Sequence, residues 1–257
     1  MPTVTRLPVS ALVPCFNNED VIEACLQSVR WADEVIVCDS FSSDGTIDVA
    51  RRYADRVVQH EYKNSAIQKN WVIPQATHEW ILIVDTDERV TASLRSEIEH
   101  ILTEGPNYVG YRIPRANHIF GRQLKNGGSW PDYQLRLFRR DLGRYETREV
   151  HAHVILDGSV GTLEFPLIHF PHRSLGNLRR VILQRYTTWE AMERDKRGIR
   201  FRWYQPIVRP PSAFVYRYII RRGYRDGWQG LLWALVWACY VFITHIKLRQ
   251  IQRGNRT

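Results

Sequence analysis

An uninterrupted apolar run, Trp80-Ile81-Leu82-Ile83-Val84, ends abruptly in Asp85-Thr86-Asp87-Glu88, three acids within four residues. Such a run reads as a strand buried on both faces, the kind found in a mostly parallel sheet. Open α/β sheets bind ligands at the carboxyl ends of those strands. In extended chain Asp85 and Asp87 point to the same side, because side chains alternate with period two. Two carboxylates on one side repel each other unless a cation accompanies them. Their oxygens suit Mg2+ or Mn2+, ions that commonly bridge to phosphates. The chemistry on offer is a metal meeting a phosphorylated ligand. The triplet is short, however, and a solvated acidic turn paired with Arg89 fits it as well.

The segments that must position these acids alternate between strand and helix. Ser10 to Pro14 is predicted as a short strand, and Asn17 or Asn18 as the cap of a helix with Glu19 and Asp20 in its first turn. Glu34 to Cys38 is a second strand ending at Asp39, Thr46 to Tyr53 a helix capped by Asp44, and Arg56 to Gln59 a third strand. Ser65 to Ala76 reads as a helix that Pro74 kinks or ends. The strand at Trp80 follows, then a helix from Thr91 to Leu102. This β-α-β-α order predicts a parallel sheet with helices on both faces.

The pattern changes after about Gly105. Tyr108 to Ile113, Gln134 to Arg139 and His151 to Leu156 read as strands, with a loop from Ala116 to Asp132 of the sort that shapes substrate sites. His151 and His153 fall on one side of their strand, and Asn177 to Lys196 is helical. Further on, Gly230 to Ile246 contains no Asp, Glu, Lys or Arg, and arginines flank it. A spanning helix needs about 20 apolar residues, so this one is marginal. Basic flanks with Trp and Tyr favour contact with an anionic membrane surface over a helix packed in a core.

Lys and Arg outnumber Asp and Glu by 36 to 27, and the excess gathers between Arg194 and Arg256. That asymmetry argues for a basic tail and against a uniformly nucleic-acid-binding surface, so nucleic acid is not an expected partner. Cys15, Cys25, Cys38 and Cys239 form no CxxC pair or zinc spacing. Cys38 and Cys239 lie in apolar segments, where buried thiols are ordinary, and the usage fits a reducing cytoplasm. Met1 to Ser10 holds no apolar signal core. No GxGxxG follows the first strand, which leaves a dinucleotide fold unsupported.

Four short elements occur in order: Val13-Pro14-Cys15-Phe16-Asn17-Asn18-Glu19, Val37-Cys38-Asp39-Ser40-Phe41-Ser42-Ser43-Asp44-Gly45-Thr46, Gln68-Lys69-Asn70 and Val84-Asp85-Thr86-Asp87-Glu88. Together they resemble the family 2 glycosyltransferases of GT-A fold, over Val9 to about Arg139. Trp31-Ala32-Asp33-Glu34 and Asp85-Thr86-Asp87-Glu88-Arg89 are most similar to lipopolysaccharide core glucosyltransferases. The resemblance implies a Rossmann-like, mostly parallel α/β sheet flanked by helices. It implies a glycosyltransferase domain over 1–205, with a nucleotide-sugar half (1–105) and an acceptor half (106–205), while the basic, apolar composition of the remainder reads as a helical, aromatic-rich membrane-associating region over 206–257.

The implied reaction moves a hexose, glucose foremost, from a UDP-sugar to a hydroxyl of a lipid-linked glycan such as lipopolysaccharide core, with inversion, at the cytoplasmic face of the inner membrane. Pro14, Phe16, Asn17 and Glu19 would line the nucleotide-sugar site, with Phe16 against a base and Asp39 accepting from a uracil N–H or ribose hydroxyl. Lys69 either touches phosphate or is a solvated helix lysine. Asp87, helped by Asp85, would hold Mg2+ or Mn2+ against the leaving UDP. Some GT-A enzymes add a late histidine to the metal, and His169 is the candidate. A carboxylate after a Gly-containing acceptor loop is the family's base; Gly127-Gly128-Ser129-Trp130-Pro131-Asp132 fits and makes it Asp132, although Pro131 replaces the commoner acid before it. Trp130 and Tyr133 either stack on an acceptor sugar or pack internally, and Arg136 joins them on the acceptor side. Two other readings are transfer to a polyprenyl phosphate, which needs no hydroxyl base, and a non-catalytic nucleotide-sugar-binding module. The oligomeric state is not legible in the sequence.

Overall fold

The computed structural model describes residues 6–146, 153–172, 176 and 179–254. His151 and the start of the helix expected at Asn177 lie outside them. The chain divides into two units, one of residues 1–115 and 132–169 and the other of residues 116–131 and 170–257.

The first unit is α/β. Its strands are β1 (Val9–Cys15), β2 (Glu34–Asp39), β3 (Arg56–Gln59), β4 (Trp80–Ile83) and β5 (Glu88–Val90), followed by β6 (Gly110–Ile119), which runs on into the second unit. β7 (Arg122–Gln123) belongs to the second unit, and β8 (Asp132–Arg139), β9 (Gly143–Tyr145), β10 (Val154–Leu156), β11 (Val160–Thr162) and β12 (Leu167–His172) complete the set. The sheet order is β3-β2-β1-β4-β8-β6-β12-β5. From β3 to β4 neighbours are parallel, whereas β8 runs antiparallel to both β4 and β6. The helices are α1 (Glu19–Val29), α2 (Thr46–Tyr53), α3 (Ser65–Val72) and α4 (Ala92–Glu104).

Alternation along the buried strands sends neighbours to opposite layers. Ala11, Val13 and Leu82 join Ile22, Leu26 and Leu94 on one face. Leu12, Ile81 and Ile83 join Ala66, Val72 and Phe138 on the other. The Asn64 side chain starts α3 by accepting from the Ile67 N–H at 2.9 Å, and Thr91 starts α4 by accepting from Leu94 at 3.1 Å. Pro74 sits in a 3-10 turn, Ile73–Gln75, that ends α3.

The second unit begins with a hairpin. Its tip residues Phe120 and Gly121 both have positive φ, +47° and +80°, as a tight two-residue turn requires. The pairs His118↔Gln123 and Ile119↔Arg122 follow, so Ala116 to Ile119 is strand where the sequence suggested loop. A π-helical stretch (Arg179–Tyr186) leads to α5 (Thr187–Lys196), α6 (Gln205–Val215), a π turn (Tyr216–Ile220), a 3-10 turn (Gly223–Asp226) and α7 (Gly227–Gly254). Gly230 lets α7 press on the preceding turn, since a Cβ there would lie 2.0 Å from the Gly223 carbonyl oxygen. α7 buries Ala234, Val236, Tyr240, Thr244 and Leu248. Cys239 falls off that row and is exposed, against the expectation of a buried thiol.

Candidate active site

The site gathers where β1, β2 and β4 end. Phe16 to Asn18 and Phe41 to Thr46 are stapled together. Asn17 Oδ1 accepts from the Ser43 N–H at 2.9 Å, and the Asn17 N–H donates to Ser42 Oγ at 2.9 Å. Glu19 accepts from the Gly45 N–H at 3.0 Å, and Asp44 accepts from Thr46 at 3.1 Å at the head of α2. Asn17 and Phe41 take left-handed backbone, φ +49° and +59°, a conformation that non-glycine residues hold only where surroundings enforce it. The outcome is two aromatic rings, Phe16 and Phe41, standing exposed beside the strand ends. Asp39 lies fully buried beneath them. Its carboxylate accepts from Ser42 and, at 3.1 Å, from Gln59 Nε2, so it holds the turn that carries Phe41. Pro14 is buried within β1.

Each residue of Gln68-Lys69-Asn70 reaches a different neighbour from α3. Gln68 Nε2 donates to Ser40 Oγ at 2.6 Å and to the Cys38 carbonyl at 3.0 Å. Asn70 brackets the Tyr145 backbone with bonds of 2.7 and 2.8 Å. Lys69 is buried, and its Nζ lies 2.8 Å from Asp85 Oδ1. It is neither solvated nor directed at open space.

The acids after β4 are not on extended chain. The Glu88 N–H donates to the Asp85 carbonyl at 2.8 Å and closes a turn, and the Asp85 N–H returns to Glu88 Oε2 at 3.0 Å. Period-two alternation therefore stops at the strand end, and the turn sends Asp85 and Asp87 to different partners. Asp85 faces cations on two sides, Lys69 and Arg136, with Arg136 Nη2 2.5 Å from Oδ2. Burial alone would raise its pKa; Arg136 and then Lys69 reverse that and hold the carboxyl well below the usual carboxylate range. Asp87 faces His169, Oδ2 to Nε2 3.5 Å. β12 pairs antiparallel with β5 and sets His169 opposite Glu88, next to Asp87. Burial works against the charged form of Asp87 as well, and His169 outweighs it, leaving the carboxyl lowered.

Glu88 is the hub that sequence reading left without a role. It is fully buried. Its Oε1 accepts from Arg136 Nη2 at 2.7 Å and lies 3.4 Å from Arg115 Nη1. Arg115 in turn contacts Asp132, Nη2 to Oδ2 2.6 Å, and Gln134 Nε2 donates to Asp132 Oδ1 at 2.8 Å. Charges thus alternate along Lys69, Asp85, Arg136, Glu88, Arg115 and Asp132. Arg136, expected on the acceptor side, is buried with both contacts on the acidic turn. Tyr133 is about half exposed, 47 %, and Trp130 is half-buried in the second unit.

A metal ion fits one part of this set. Asp87 supplies a hard oxygen and His169 a borderline nitrogen across a 3.5 Å gap, and Asp87 keeps 36 % of its side chain open. Mg2+ and Mn2+ take one or two protein carboxylates and fill the rest of their shell with water and phosphate oxygens. Among the described residues no three His, Cys, Asp or Glu side chains converge to hold a metal by themselves. An ion here would be shared with a phosphate-bearing ligand. Asp85 has both oxygens committed to cations, so it is the poorer direct ligand of the two.

Comparison with known proteins places this geometry. Residues 10–156 match the family described as "Glycosyl transferase family 2". The chain is 30% identical to the lipopolysaccharide core biosynthesis glycosyltransferase LpsC of Rhizobium meliloti (strain 1021), over 96% of this chain and 94% of that one. Among solved structures it resembles the mannosyltransferase PcManGT from Pyrobaculum calidifontis in complex with GDP-Man and Mn2+, with a TM-score of 0.56, 15% identity, and 95% and 88% of the two chains covered. It also resembles S. aureus TarS 1-349 in complex with UDP, with a TM-score of 0.50, 15% identity, and 96% and 92% covered. The fold is GT-A, and with more than half its length matched by the family, the chain belongs to glycosyl transferase family 2 and is a glycosyltransferase.

Proposed function

We propose that this enzyme moves a hexose, glucose, from UDP-glucose to a hydroxyl of a lipid-linked glycan of the lipopolysaccharide core, with inversion, at the cytoplasmic face of the inner membrane. One observation carries the reading. The alternating ion pairs run without a break from the acidic turn to Asp132, so one network fixes both the turn that carries Asp87 and the carboxylate suited to the attacking hydroxyl. The acceptor class draws support from the relative's role in lipopolysaccharide core biosynthesis. The two solved structures, at 15% identity, speak for the fold alone, so donor and ion rest on this chain's own residues.

Asp87 and His169 are the groups that would hold Mg2+ or Mn2+. Bound there, the ion supplies Lewis-acid stabilisation of the negative charge that grows on the leaving diphosphate. Asp85 serves by fixing the turn between Lys69 and Arg136. Phe16 and Phe41 offer apolar faces to the nucleoside, with Pro14, Asn17 and Glu19 shaping the first strand end and Asp39 holding the second. Asp132 takes the proton of the attacking hydroxyl as the new bond forms at the anomeric carbon. The bond from that carbon to UDP breaks, and its electron pair leaves with UDP. One displacement inverts the centre. Arg115 fixes the direction of the Asp132 carboxylate, and Tyr133 presents an aromatic face to the acceptor sugar.

The test uses UDP-glucose, Mn2+ and a lipid-linked acceptor, with the product's anomeric configuration read by NMR. Asp87→Ala and Asp132→Asn should each cut transfer by about 10²-fold or more, and only Asp87→Ala should weaken metal-dependent UDP binding. Full transfer by Asp132→Asn would point to a phosphate acceptor that needs no base. UDP-sugar binding without turnover on any acceptor would leave a binding module.

A further inference from the structure

From Lys196 to Arg225 the chain carries nine Lys and Arg and not one Asp or Glu. α6 and the π turn after it lie inside this stretch, and neither contains a buried residue. Their sides differ sharply. Ala213, Phe214, Arg217 and Tyr218 are half-buried, and Arg217 stacks on Trp237 of α7, 3.9 Å from its ring. The opposite side is exposed and carries Ile207, Val208, Pro211, Val215, Ile219 and Ile220, with Arg209, Ser212 and Tyr216 exposed among them. Positions 207, 211, 215 and 219 are spaced by fours, so they share one helix face. A helix on a soluble surface shows polar residues on this side. Here Ile207 and Ile220 are 63% and 64% exposed. Single exposed apolar residues mean little, but a contiguous stripe marks an interaction surface.

We propose that this row is where the enzyme sits on an anionic phospholipid bilayer. Ile207, Val215, Ile219 and Ile220 enter the acyl boundary, while Arg200, Arg202, Arg209, Arg221 and Arg222, all exposed, pair with lipid phosphates. Trp203, 75% exposed, takes the headgroup level that amphipathic rings favour. The proposal rests on the lipid-linked acceptor proposed above and deepens it. It assigns membrane contact to α6 and its π turn instead of the apolar run at Gly230 to Ile246.

Charge selects this occupant. A second copy would set the same acid-free, basic stretch against itself, with no carboxylate to offset the repulsion. A spanning role falls to α7 by length and composition alone. Yet α7 is tied along its side, with Lys247 Nζ bonded to the Gln184 carbonyl, Thr187 Oγ1 and Thr188 Oγ1 at 2.7–2.8 Å and Gln252 Nε2 to Asp195 Oδ1 at 2.9 Å. Those bonds lie past Ile246, but within the run itself Val236 and Tyr240 are buried with Phe120 and Leu183 packed against them, contacts that crossing a bilayer would strip.

The experiment is co-sedimentation of the full chain, without donor, with vesicles of phosphatidylcholine alone or mixed with phosphatidylglycerol. Wild type should sediment with the anionic vesicles, release at high salt, and stay in solution with the neutral ones. The triple variant Ile207→Ser, Val215→Ser, Ile219→Ser should bind anionic vesicles about tenfold or more weakly, with its melting temperature and UDP-sugar hydrolysis unchanged. A second variant, Arg200→Gln, Arg209→Gln, Arg222→Gln, should lose the anionic preference. Unaltered sedimentation of the triple serine variant overturns the proposal. So does equal binding to neutral vesicles, resistance to alkaline carbonate extraction (a spanning helix), or a dimer in sedimentation velocity that the serine variant abolishes. Vesicle binding as described with no transfer from any UDP-sugar would sink the proposed function and leave this surface standing.

Discussion

Arg115 grips one oxygen of Asp132 with two nitrogens, Nη2 at 2.6 Å and Nε at 3.0 Å from Oδ2. The two residues are also strand partners, facing each other where β6 pairs with β8. With Oδ2 held by a planar guanidinium and Oδ1 by Gln134 Nε2 at 2.8 Å, the carboxylate has a fixed direction. Replacing Asp132 by Asn keeps the shape and removes the proton acceptor, so kcat should fall by about 10²–10⁴, with KM for the donor little changed. Arg115→Gln keeps the base and loosens it. Its kcat should fall less than that of Asp132→Asn, again with donor KM near wild type. Steady-state kinetics on purified protein decides both.

Glu88 stands between two arginines with no exposure to solvent. Its removal leaves Arg136 buried beside a single remaining acid, Asp85. Breaking a buried pair by deleting one partner costs about 3–5 kcal/mol. Glu88→Ala should therefore lower stability by about that much in urea unfolding, far more than Arg95→Ala, which loses an exposed helix-surface pair with Glu99 and a contact over the Trp31 ring. Equal losses for the two would show that the hub is not holding the turn.

Asp87 and His169 form the gap that suits a divalent ion. Calorimetry of UDP binding should show that Mn2+ tightens wild-type affinity. In Asp87→Ala and in His169→Ala that enhancement should drop by about tenfold or more, ~1.4 kcal/mol. Without Mn2+ all three proteins should bind UDP weakly, with Asp87→Ala no weaker than wild type because a like charge is gone. A His169→Ala protein that keeps the full enhancement would remove the imidazole from the ion's shell.

Glu34 offers a pH test away from the site. Burial would raise its pKa, but Ser10 Oγ at 2.6 Å, the Thr77 N–H at 2.8 Å and its Oγ1, and Arg56 hold the carboxyl below its ordinary value. Its folded pKa is lower than its unfolded one, so the stabilisation is complete above the unfolded value, about 4.3. It is lost as pH falls through the folded value. Glu34→Gln should flatten the acid limb of a stability-against-pH curve and cost about 1–3 kcal/mol near neutrality.

Thiol chemistry should separate Cys239 from the other cysteines. Burial pushes Cys15 and Cys25 far up, and pushes Cys38, with Asp39 adding to the effect, up to about 12. Reaction follows the thiolate and its access. A disulfide reagent added to native protein should label Cys239 alone, and all four cysteines after unfolding, as mass spectrometry of peptides would show.

The fold was largely readable because its signals are local. The buried runs at Val9, Glu34 and Trp80 are short and apolar, and α3 carries its own cap at Asn64, although α1, expected to be capped by Asn17 or Asn18, starts with no side-chain cap bond. The acidic turn was visible for the same reason. What escaped was pairing across distance. Lys69 reads as an ordinary helix lysine until α3 packs on the sheet and delivers it to Asp85. Arg115 reads as one more charge on a strand. Its position opposite Asp132 depends on the irregularity between Tyr111 and Arg112, where β6 shifts register against β8. Such a shift moves every later residue by one place, and nothing in a linear pattern announces it. The exposed apolar row of α6 was missed because periodicity reports which residues share a face, but not which way that face looks.

The chain of alternating ions has an arithmetic of its own. Lys69, Arg136 and Arg115 are balanced by Asp85, Glu88 and Asp132, so the six cancel and no surplus cation remains among them to attract a bare pyrophosphate. A nucleotide arriving without its counter-ion meets a neutral lattice and the leftover negative charge of Asp87. Nucleotide and ion are therefore welcomed as a couple, and each should be a poor guest without the other.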